Sequence, residues 1–459
     1  MLTYELKKSP GVPLYEALYR CIREDILSGV LSAGEKLPSK RALADHLEIS
    51  KVTVEGAYNQ LLAEGYLRSV EKVGYFVEAV EQVHGSPVPY AQEETPQPQW
   101  PVDLTANGPA PGFPFSVWMR LQRQVMLDLG DRLLAPMHNQ GLFQLRCAIA
   151  RHLGQFRNMR VEPKNILVGA GTDFLYNLLL QLLGRDKVYG VEDPGYQKIR
   201  QIYEAGGVEC VSVPMDIQGV DPNHLGRVQV LHISPSHHFP TGIVTPARRR
   251  AQLLDWAAGS DDRWLIEDDY DSEFRFDAHP VPSLQAMDRR GKVIYMNTFS
   301  KTLAPSIRIS YMILPEALMD RFQKELGFYS CTVPSFEQHT LARFLEEGHF
   351  EKHINRMRWF YRTRRNRVVD LLQKASFAHR IDILEQNAGL HFILRIRSAS
   401  SEEALSALCA GAGIRIRSLR DYYRGEVPGW AKGCLVVNYS GIDEEKLRHA
   451  LQKLEKSLK

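Results

Sequence analysis

In Val293-Ile294-Tyr295-Met296-Asn297-Thr298-Phe299-Ser300-Lys301-Thr302-Leu303-Ala304-Pro305-Ser306-Ile307-Arg308 a short β-branched, apolar run gives way to a lysine set among hydroxyls, with an arginine following. The run reads as a buried strand. A lysine at a strand end, held partly neutral by its surroundings, can form a Schiff base with an aldehyde. The neighbouring Thr, Ser and Arg side chains could hold a phosphate.

Outward from this stretch the pattern recurs. Residues 165–168, 187–191, 228–232 and 264–267 are further short β-branched runs, separated by helical stretches. Such alternation implies a mostly parallel sheet covered by helices, and ligands of such sheets bind beyond the carboxyl ends of the strands. After the first run comes Gly169-Ala170-Gly171-Thr172-Asp173, then an apolar helix from Phe174. A strand, a Gly-rich turn and a helix N-terminus offer an anion free N–H groups and the helix dipole. After 264–267 comes Asp268-Asp269-Tyr270-Asp271-Ser272-Glu273. By itself this is a solvated acidic turn, or a divalent-metal site whose ligand geometry nothing in the sequence fixes.

In chain order, a phosphate cradle, a carboxylate, a phenol, a lysine and an arginine resemble the pyridoxal 5′-phosphate (PLP) site of fold-type-I aminotransferases. That resemblance implies that Lys301 carries the cofactor as a Schiff base and that Asp268 pairs with the pyridinium nitrogen, keeping the ring an electron sink. It implies that Tyr270 hydrogen-bonds the ring's phenolic oxygen and that Tyr196 stacks on the ring. Ala170, Gly171, Thr172, Thr298 and Arg308 would hold the phosphate.

The first eighty residues read differently. Leu14, Leu18, Ile22 and Ile26 share one helical face, and Gly29 ends that helix. Ser39 and Ser50 are N-caps for two further helices, the second with Val54, Tyr58, Leu61 and Leu62 inward. Two short strands, 66–68 and 75–77, flank Gly74. Three helices and a hairpin make a winged helix-turn-helix, whose third helix presents Ser50, Lys51 and Thr53 for the major groove. Arg41 and Lys72 stand where phosphates would be held. Residues 1–80 carry ten Lys/Arg and eleven Asp/Glu, so double-stranded DNA binding depends on where the cations stand, with Lys36, Lys40, Arg41 and Lys51 along one face. The runs Ile26-Leu27-Ser28-Gly29, Leu37-Pro38-Ser39-Lys40-Arg41 and Ser50-Lys51-Val52-Thr53-Val54 resemble the GntR-type DNA-binding module. Two departures are Lys51, where that family usually has Arg with its bidentate fork, and Gly56 inside the recognition helix, which costs about 1 kcal/mol against Ala.

The whole chain resembles the MocR-type transcriptional regulators, on further matches at Ser234-Pro235-Ser236-His237-His238-Phe239-Pro240-Thr241-Gly242 and His353-Ile354-Asn355-Arg356-Met357-Arg358. The resemblance implies a PLP-dependent DNA-binding regulator, a head-to-tail homodimer that senses PLP or an amine effector. It further implies control of vitamin B6 or amino-compound genes, with little or no turnover expected. The alternative is a working aminotransferase with an appended DNA-binding module. Against it, Phe239 stands where such enzymes usually carry Asn, and Cys434-Leu435-Val436-Val437-Asn438-Tyr439-Ser440 lacks their carboxylate-binding Arg. Lys198, Arg200, Arg415, Arg417 and Arg420 remain as candidate cations. The arginines of 356–367 read as a solvated helix with Ile354, Met357 and Tyr361 as its buried stripe, and Arg248-Arg249-Arg250 reads likewise as surface.

Length and composition agree. The 459 residues have net charge +3 and 44% hydrophobic content, a globular balance that excludes wholesale disorder. No apolar run of membrane-spanning length occurs, and the N-terminus lacks a signal-peptide layout. Six scattered cysteines without CxxC spacing imply reduced thiols in a cytoplasm and no metal site. Five prolines within 84–101 mark a semi-rigid linker. The expected division is therefore a DNA-binding domain at 1–80, a linker at 81–101 and an aminotransferase-like domain at 102–459, with a small α+β part from about 335.

Overall fold

The computed structural model describes all residues except 1, 5, 7–12, 80–99, 106–111, 277–280, 398–401 and 458–459. Its two compact units are Met1–Gln97 and Pro98–Lys459. The linker expected at 81–101 lies, apart from Trp100 and Pro101, outside the described residues.

In the first unit, α1 (Leu14–Leu27), α2 (Lys40–His46) and α3 (Lys51–Ala63) precede the antiparallel hairpin β1 (Leu67–Val70) and β2 (Gly74–Val77). Leu18, Ile22, Ile26, Leu43, Val54, Tyr58 and Leu61 form its core, while Leu14 and Leu62 are only half-buried. Ser39 Oγ accepts from the Ala42 N–H and Ser50 Oγ from the Thr53 N–H, at 3.2 and 3.1 Å, so each helix starts on a satisfied donor. Gly56 has a packing reason. A Cβ there would stand 3.2 Å from Tyr15 Cβ, so glycine lets α3 approach α1 closely and its lower propensity is offset by that contact.

The second unit is α/β. It contains β3 (Val102–Asp103), α4 (Phe115–Leu129), α5 (Phe143–Arg157), β4 (Ile166–Gly169), α6 (Thr172–Leu183), β5 (Val188–Asp193), α7 (Gln197–Ala205), β6 (Glu209–Asp216), β7 (Gly219–Val220) and β8 (Val230–Ile233). Next come α8 (Ala247–Ala258), β9 (Trp264–Asp268), α9 (Leu284–Met287), β10 (Val293–Thr298), α10 (Phe299–Thr302), β11 (Ser310–Ile313), α11 (Glu316–Leu326), α12 (Ser335–Glu346) and α13 (His349–Gln373). The chain ends with β12 (Ile381–Leu384), β13 (His391–Ile396), α14 (Glu402–Gly411), β14 (Ile414–Arg415), β15 (Arg417–Ser418), β16 (Cys434–Asn438) and α15 (Glu444–Ser457).

Eight strands form one sheet in the order β4-β11-β10-β9-β8-β5-β6-β7. The inner pairs β10/β9, β9/β8, β8/β5 and β5/β6 are parallel, and β11 runs against both its neighbours. The inner strands are buried along their length, as a sheet covered on both faces requires. The carboxyl ends of β4, β5, β8, β9 and β10 thus gather at one edge. A second sheet, β12-β13-β16-β15, forms the small part.

Packing sets the division inside this unit. Helix α12, from Ser335, contributes Leu341, Phe344 and Leu345 to the core around α4 and α5. Phe350 and Ile354, at the start of α13, join that same core. Met357, Tyr361, Val368 and Leu372, farther along α13, join the core of the small sheet. Helix α13 therefore spans both cores, and the change falls within it rather than at 335. Val102 and Leu104 also belong to the small-sheet core, where β3 pairs with β14. Among the described residues no helix is long and apolar enough to cross a membrane.

Candidate functional site

A cavity of about 340 Å³ opens at the carboxyl ends of the strands. Its lining includes Thr172, Tyr196, Asp268, Tyr270, Thr298, Ser300, Lys301 and Arg308. Seven of the nine residues expected around a cofactor therefore share one cavity. Ala170 and Gly171 do not line it. The Ala170 N–H donates to Thr332 Oγ1 at 2.9 Å. Gly171 shapes the turn, because at φ 90° a Cβ would lie 2.1 Å from Arg308 Nη2; only glycine lets that guanidinium cross the turn. Thr172 opens α6, where backbone N–H groups lack helical partners.

Loops after β9 and β10 carry the chemical groups. Tyr176 Oη donates to Asp268 Oδ2 at 2.6 Å, and His232 Nε2 stands 3.6 Å from the same oxygen. Asp268 Oδ1 is buried without a partner. Lys301 follows β10, and burial pulls its ammonium pKa down while Asp271 and Asp268 oppose the shift. Ser300 Oγ is buried and unpartnered, whereas Thr298 Oγ1 is engaged by the Ser300 N–H at 3.1 Å and by Ser310 Oγ at 2.8 Å. Ser300 is thus the freer hydroxyl, and its position directly before the lysine was the available signal. Arg308, in the left-handed region at φ 49°, has Nη2 3.4 Å from Asp173 Oδ2.

The rest of the wall is neutral or paired. His237 Nδ1 lies 2.9 Å from Asp271 Oδ2 and 3.4 Å from Tyr270 Oη. Burial raises the Tyr270 phenol. Burial pushes the Glu192 carboxyl up to about 8, although the Ser234 N–H donates to it at 2.9 Å. His238, held down to about 3 by burial, has Nε2 3.4 Å from Glu192 Oε2 and Nδ1 2.7 Å from Thr241 Oγ1. It is a core histidine. The half-exposed Tyr196 ring meets Phe239 edge-on, centroids 5.8 Å apart. His391 and Asn438 line the opposite wall from directly paired positions of β13 and β16.

Of the five candidate cations for a carboxylate, only Lys198 lines the cavity, and it bonds Asp173 at 2.7 Å. Arg200 is buried against the Cys210 carbonyl and Ser212. Arg415 pairs with Asp103 at 3.2 Å.

Two surface readings are corrected. The acidic run that starts at Glu267 in β9 is largely buried, and Glu267, Asp269 and Asp271 each have a charged partner. Glu267 faces Arg250, Asp269 bonds Arg157 at 2.7 Å and Tyr295 at 2.6 Å, and Asp271 faces His237. Arg249 and Arg250 are buried too, Arg250 donating to the carbonyls of Thr245, Pro235 and Pro282. In α13, Arg358 and Arg364 donate to the carbonyls of Glu273 and Ser440. Tyr176, His232 and Arg157 were missed altogether, since a helical tyrosine and a strand histidine carry no motif.

In the first unit Arg41, Ser50, Lys51 and Lys72 are exposed and Thr53 is half-buried. Lys40 is paired with Glu55 of α3 at 2.7 Å. Val52, beside Lys51, is 76% exposed, an apolar group at the start of α3 of the kind that meets thymine methyls.

Residues 102–454 match the family model for aminotransferase class I and II, and residues 14–77 that for bacterial regulatory proteins of the gntR family. The chain is 37% identical over 465 residues to the uncharacterised HTH-type transcriptional regulator YdeL of Bacillus subtilis, spanning 100% of this chain and 99% of the relative. It is 32% identical to the HTH-type pyridoxine biosynthesis transcriptional regulator PdxR of Corynebacterium glutamicum (94% and 93% covered). It is 30% identical to the probable rhizopine catabolism regulatory protein MocR of Rhizobium meliloti (98% and 94% covered). Among solved structures, the multiple substrate aminotransferase of Thermococcus profundus matches with TM-score 0.68 at 22% identity, covering 78% of this chain and 90% of that one; this likeness speaks for the fold.

Proposed function

The chain belongs to the MocR-type HTH transcriptional regulators, a gntR-family module joined to an aminotransferase class I and II domain, and from that membership we propose that it controls transcription by binding PLP, with or without an amine effector, in the cavity at Lys301. The observation that carries this reading is the buried, unpartnered Asp268 Oδ1 in a cavity that also presents a lysine. A buried carboxylate oxygen without a donor is costly, and a protonated ring nitrogen is the donor it lacks. The unpartnered Ser300 hydroxyl, the α6 N-terminus and Arg308 fit a phosphate in the same way.

When bound, PLP supplies an aldehyde that condenses with a primary amine and a ring that accepts electrons. The chain's own residues do the rest. Tyr176 fixes the Asp268 carboxylate, with His232 Nε2 3.6 Å away, and that carboxylate would face the ring nitrogen. Burial keeps Lys301 toward its neutral, nucleophilic form. Tyr270 would hydrogen-bond the ring oxygen and Tyr196 would stack on the ring, both from the lining of the cavity. Ala170 and Gly171 contribute by shaping the phosphate turn.

Arg41, Ser50, Lys51, Thr53 and Lys72 would meet DNA, with Ser50 as the cap that aims α3. An effector shifts the DNA-binding arrangement only by its differential affinity for the two states. A head-to-tail homodimer in the cytoplasm is the assembly we assign to this role. The names of PdxR and MocR support target genes of vitamin B6 or amino-compound metabolism.

The test is borohydride reduction of the full chain after PLP treatment, followed by peptide mapping. A label on Lys301, absent in Lys301→Ala of unchanged fold, is the expected result. A label confined to other lysines refutes the assignment. Titrating PLP into a DNA-shift assay then reads the coupling.

A further inference from the structure

A second cavity, of about 310 Å³, lies among the C-terminal end of α5, the segment after β9 and the first half of α13. Its charged lining is Arg157, Arg275, Arg358, Glu273 and Glu351. Arg157 is nearly buried, with Nη2 on Asp269 Oδ2 at 2.7 Å and on Ser236 Oγ at 3.1 Å, yet its Nε has no partner. Arg275 Nη2 donates to the Ser236 carbonyl at 2.8 Å, and its Nε is likewise buried without a partner. Arg358 Nε donates to the Glu273 carbonyl at 2.5 Å.

The acids leave donors of these cations unsatisfied. Burial, with Asp269 nearby, pushes Glu273 up to about 7, and its Oε2 has no partner. A protonated Glu273 is a donor, not a competing anion. His152, on the same wall, is held down to about 4 by burial and is neutral. Three guanidiniums therefore gather at this cavity, and two of them, Arg157 and Arg275, keep an Nε–H without an acceptor. Buried guanidinium N–H groups without acceptors are costly, and oxyanions satisfy them with charge-assisted bonds.

We propose that this cavity binds a small oxyanion, a phosphate or a carboxylate, at Arg275 and Arg358. The site is separate from the cavity at Lys301 but built on the same segment. Asp268, Tyr270 and Asp271 line the first cavity, while Ser272, Glu273 and Arg275 line the second. An anion that draws on Arg157 acts on its partner Asp269, between Asp268 and Tyr270, so occupancy of one cavity bears on the geometry of the other.

The test is calorimetric titration of the full chain carrying Arg308→Gln, which removes the competing phosphate contact of the first cavity. Inorganic phosphate and succinate are titrated separately. The expected result is saturable binding of one oxyanion per chain, weakened about tenfold or more by adding Arg275→Gln or Arg358→Gln. Binding of phosphate alone assigns a phosphate, and binding of succinate alone assigns a carboxylate. Arg358→Gln also removes the bond to the Glu273 carbonyl. Where it fails to fold, Arg275→Gln decides, and Arg275→Lys should retain part of the affinity. Absence of binding by both anions, or binding that neither Gln substitution weakens, overturns the proposal. The outcome is distinguishable from that for PLP, because every arm reads oxyanion binding to the chain without PLP.

Discussion

Asp268 is held by one oxygen and open at the other. Tyr176 supplies the bond that fixes it, at 2.6 Å in a fully buried setting. A hydrogen bond to a charged group contributes about 1.5–3 kcal/mol. Tyr176→Phe removes that donor and leaves the carboxylate less stabilised as an anion, so its attraction for a protonated ring nitrogen weakens. PLP affinity, read from an absorbance titration, is expected to fall by about tenfold to a hundredfold with the fold unchanged. An unaltered affinity would mean that Tyr176 does not support the carboxylate. At this scale the sequence was informative wherever the relevant residues are neighbours along the chain. Ser300, Lys301 and Arg308 stand in one run, and Asp268 and Tyr270 in another. Tyr176 meets Asp268 across 92 positions, and only the packing of α6 on the sheet creates that contact. No local pattern records it.

Elements show where local reading misleads. The segment after β9 is acidic enough to be taken for a solvated turn, but arginines and histidines from α5, α8 and the 234–238 loop neutralise it from above and below the sheet. Arg250 is the most enclosed of these partners, fully buried against an equally buried Glu267. Arg250→Ala leaves Glu267 with two backbone donors, the Leu284 and Gln285 N–H groups, and strips three carbonyls of a donor. Breaking a buried pair in this way costs about 3–5 kcal/mol, which denaturant unfolding should read as a lower midpoint at similar slope. The helices of the first unit were legible for the opposite reason. Their caps, apolar spacing and terminating glycines are all local signals. On α3 the exposed Lys51 follows the Ser50 cap, so Lys51→Ala should weaken operator binding by about 1–3 kcal/mol at matched salt, with a salt slope shallower by about 1. A shift assay across several salt concentrations checks both. An unchanged affinity would mean that the start of α3 does not face DNA.

At the level of the whole molecule, the buried titrating groups set how stability depends on pH. Glu192 and Glu273, pushed up to about 8 and about 7 from an ordinary 4.5, keep protons in the folded chain that the unfolded chain has released. On their account stability falls as pH rises from about 4.5 to about 8. His238 and His152 are held down to about 3 and about 4 from 6.5. The unfolded chain binds protons there that the folded chain refuses, so on their account stability falls as pH drops below about 6.5. The two trends oppose each other between about 4.5 and 6.5, and above 6.5 only the carboxyls act. A broad maximum between about pH 4.5 and 6.5, followed by a decline toward pH 8, is therefore expected. Glu192→Gln retains an acceptor for the Ser234 N–H and removes the larger of the two carboxyl titrations. A tenfold difference in proton affinity between the folded and unfolded chain corresponds to about 1.4 kcal/mol, so the variant should lose most of the alkaline decline and match the parent most closely at pH 5, where the acid is protonated in the folded chain and costs little. Thermal melts from pH 5 to 9 on both proteins measure this directly. A decline of equal depth in the variant would place the titrating group elsewhere.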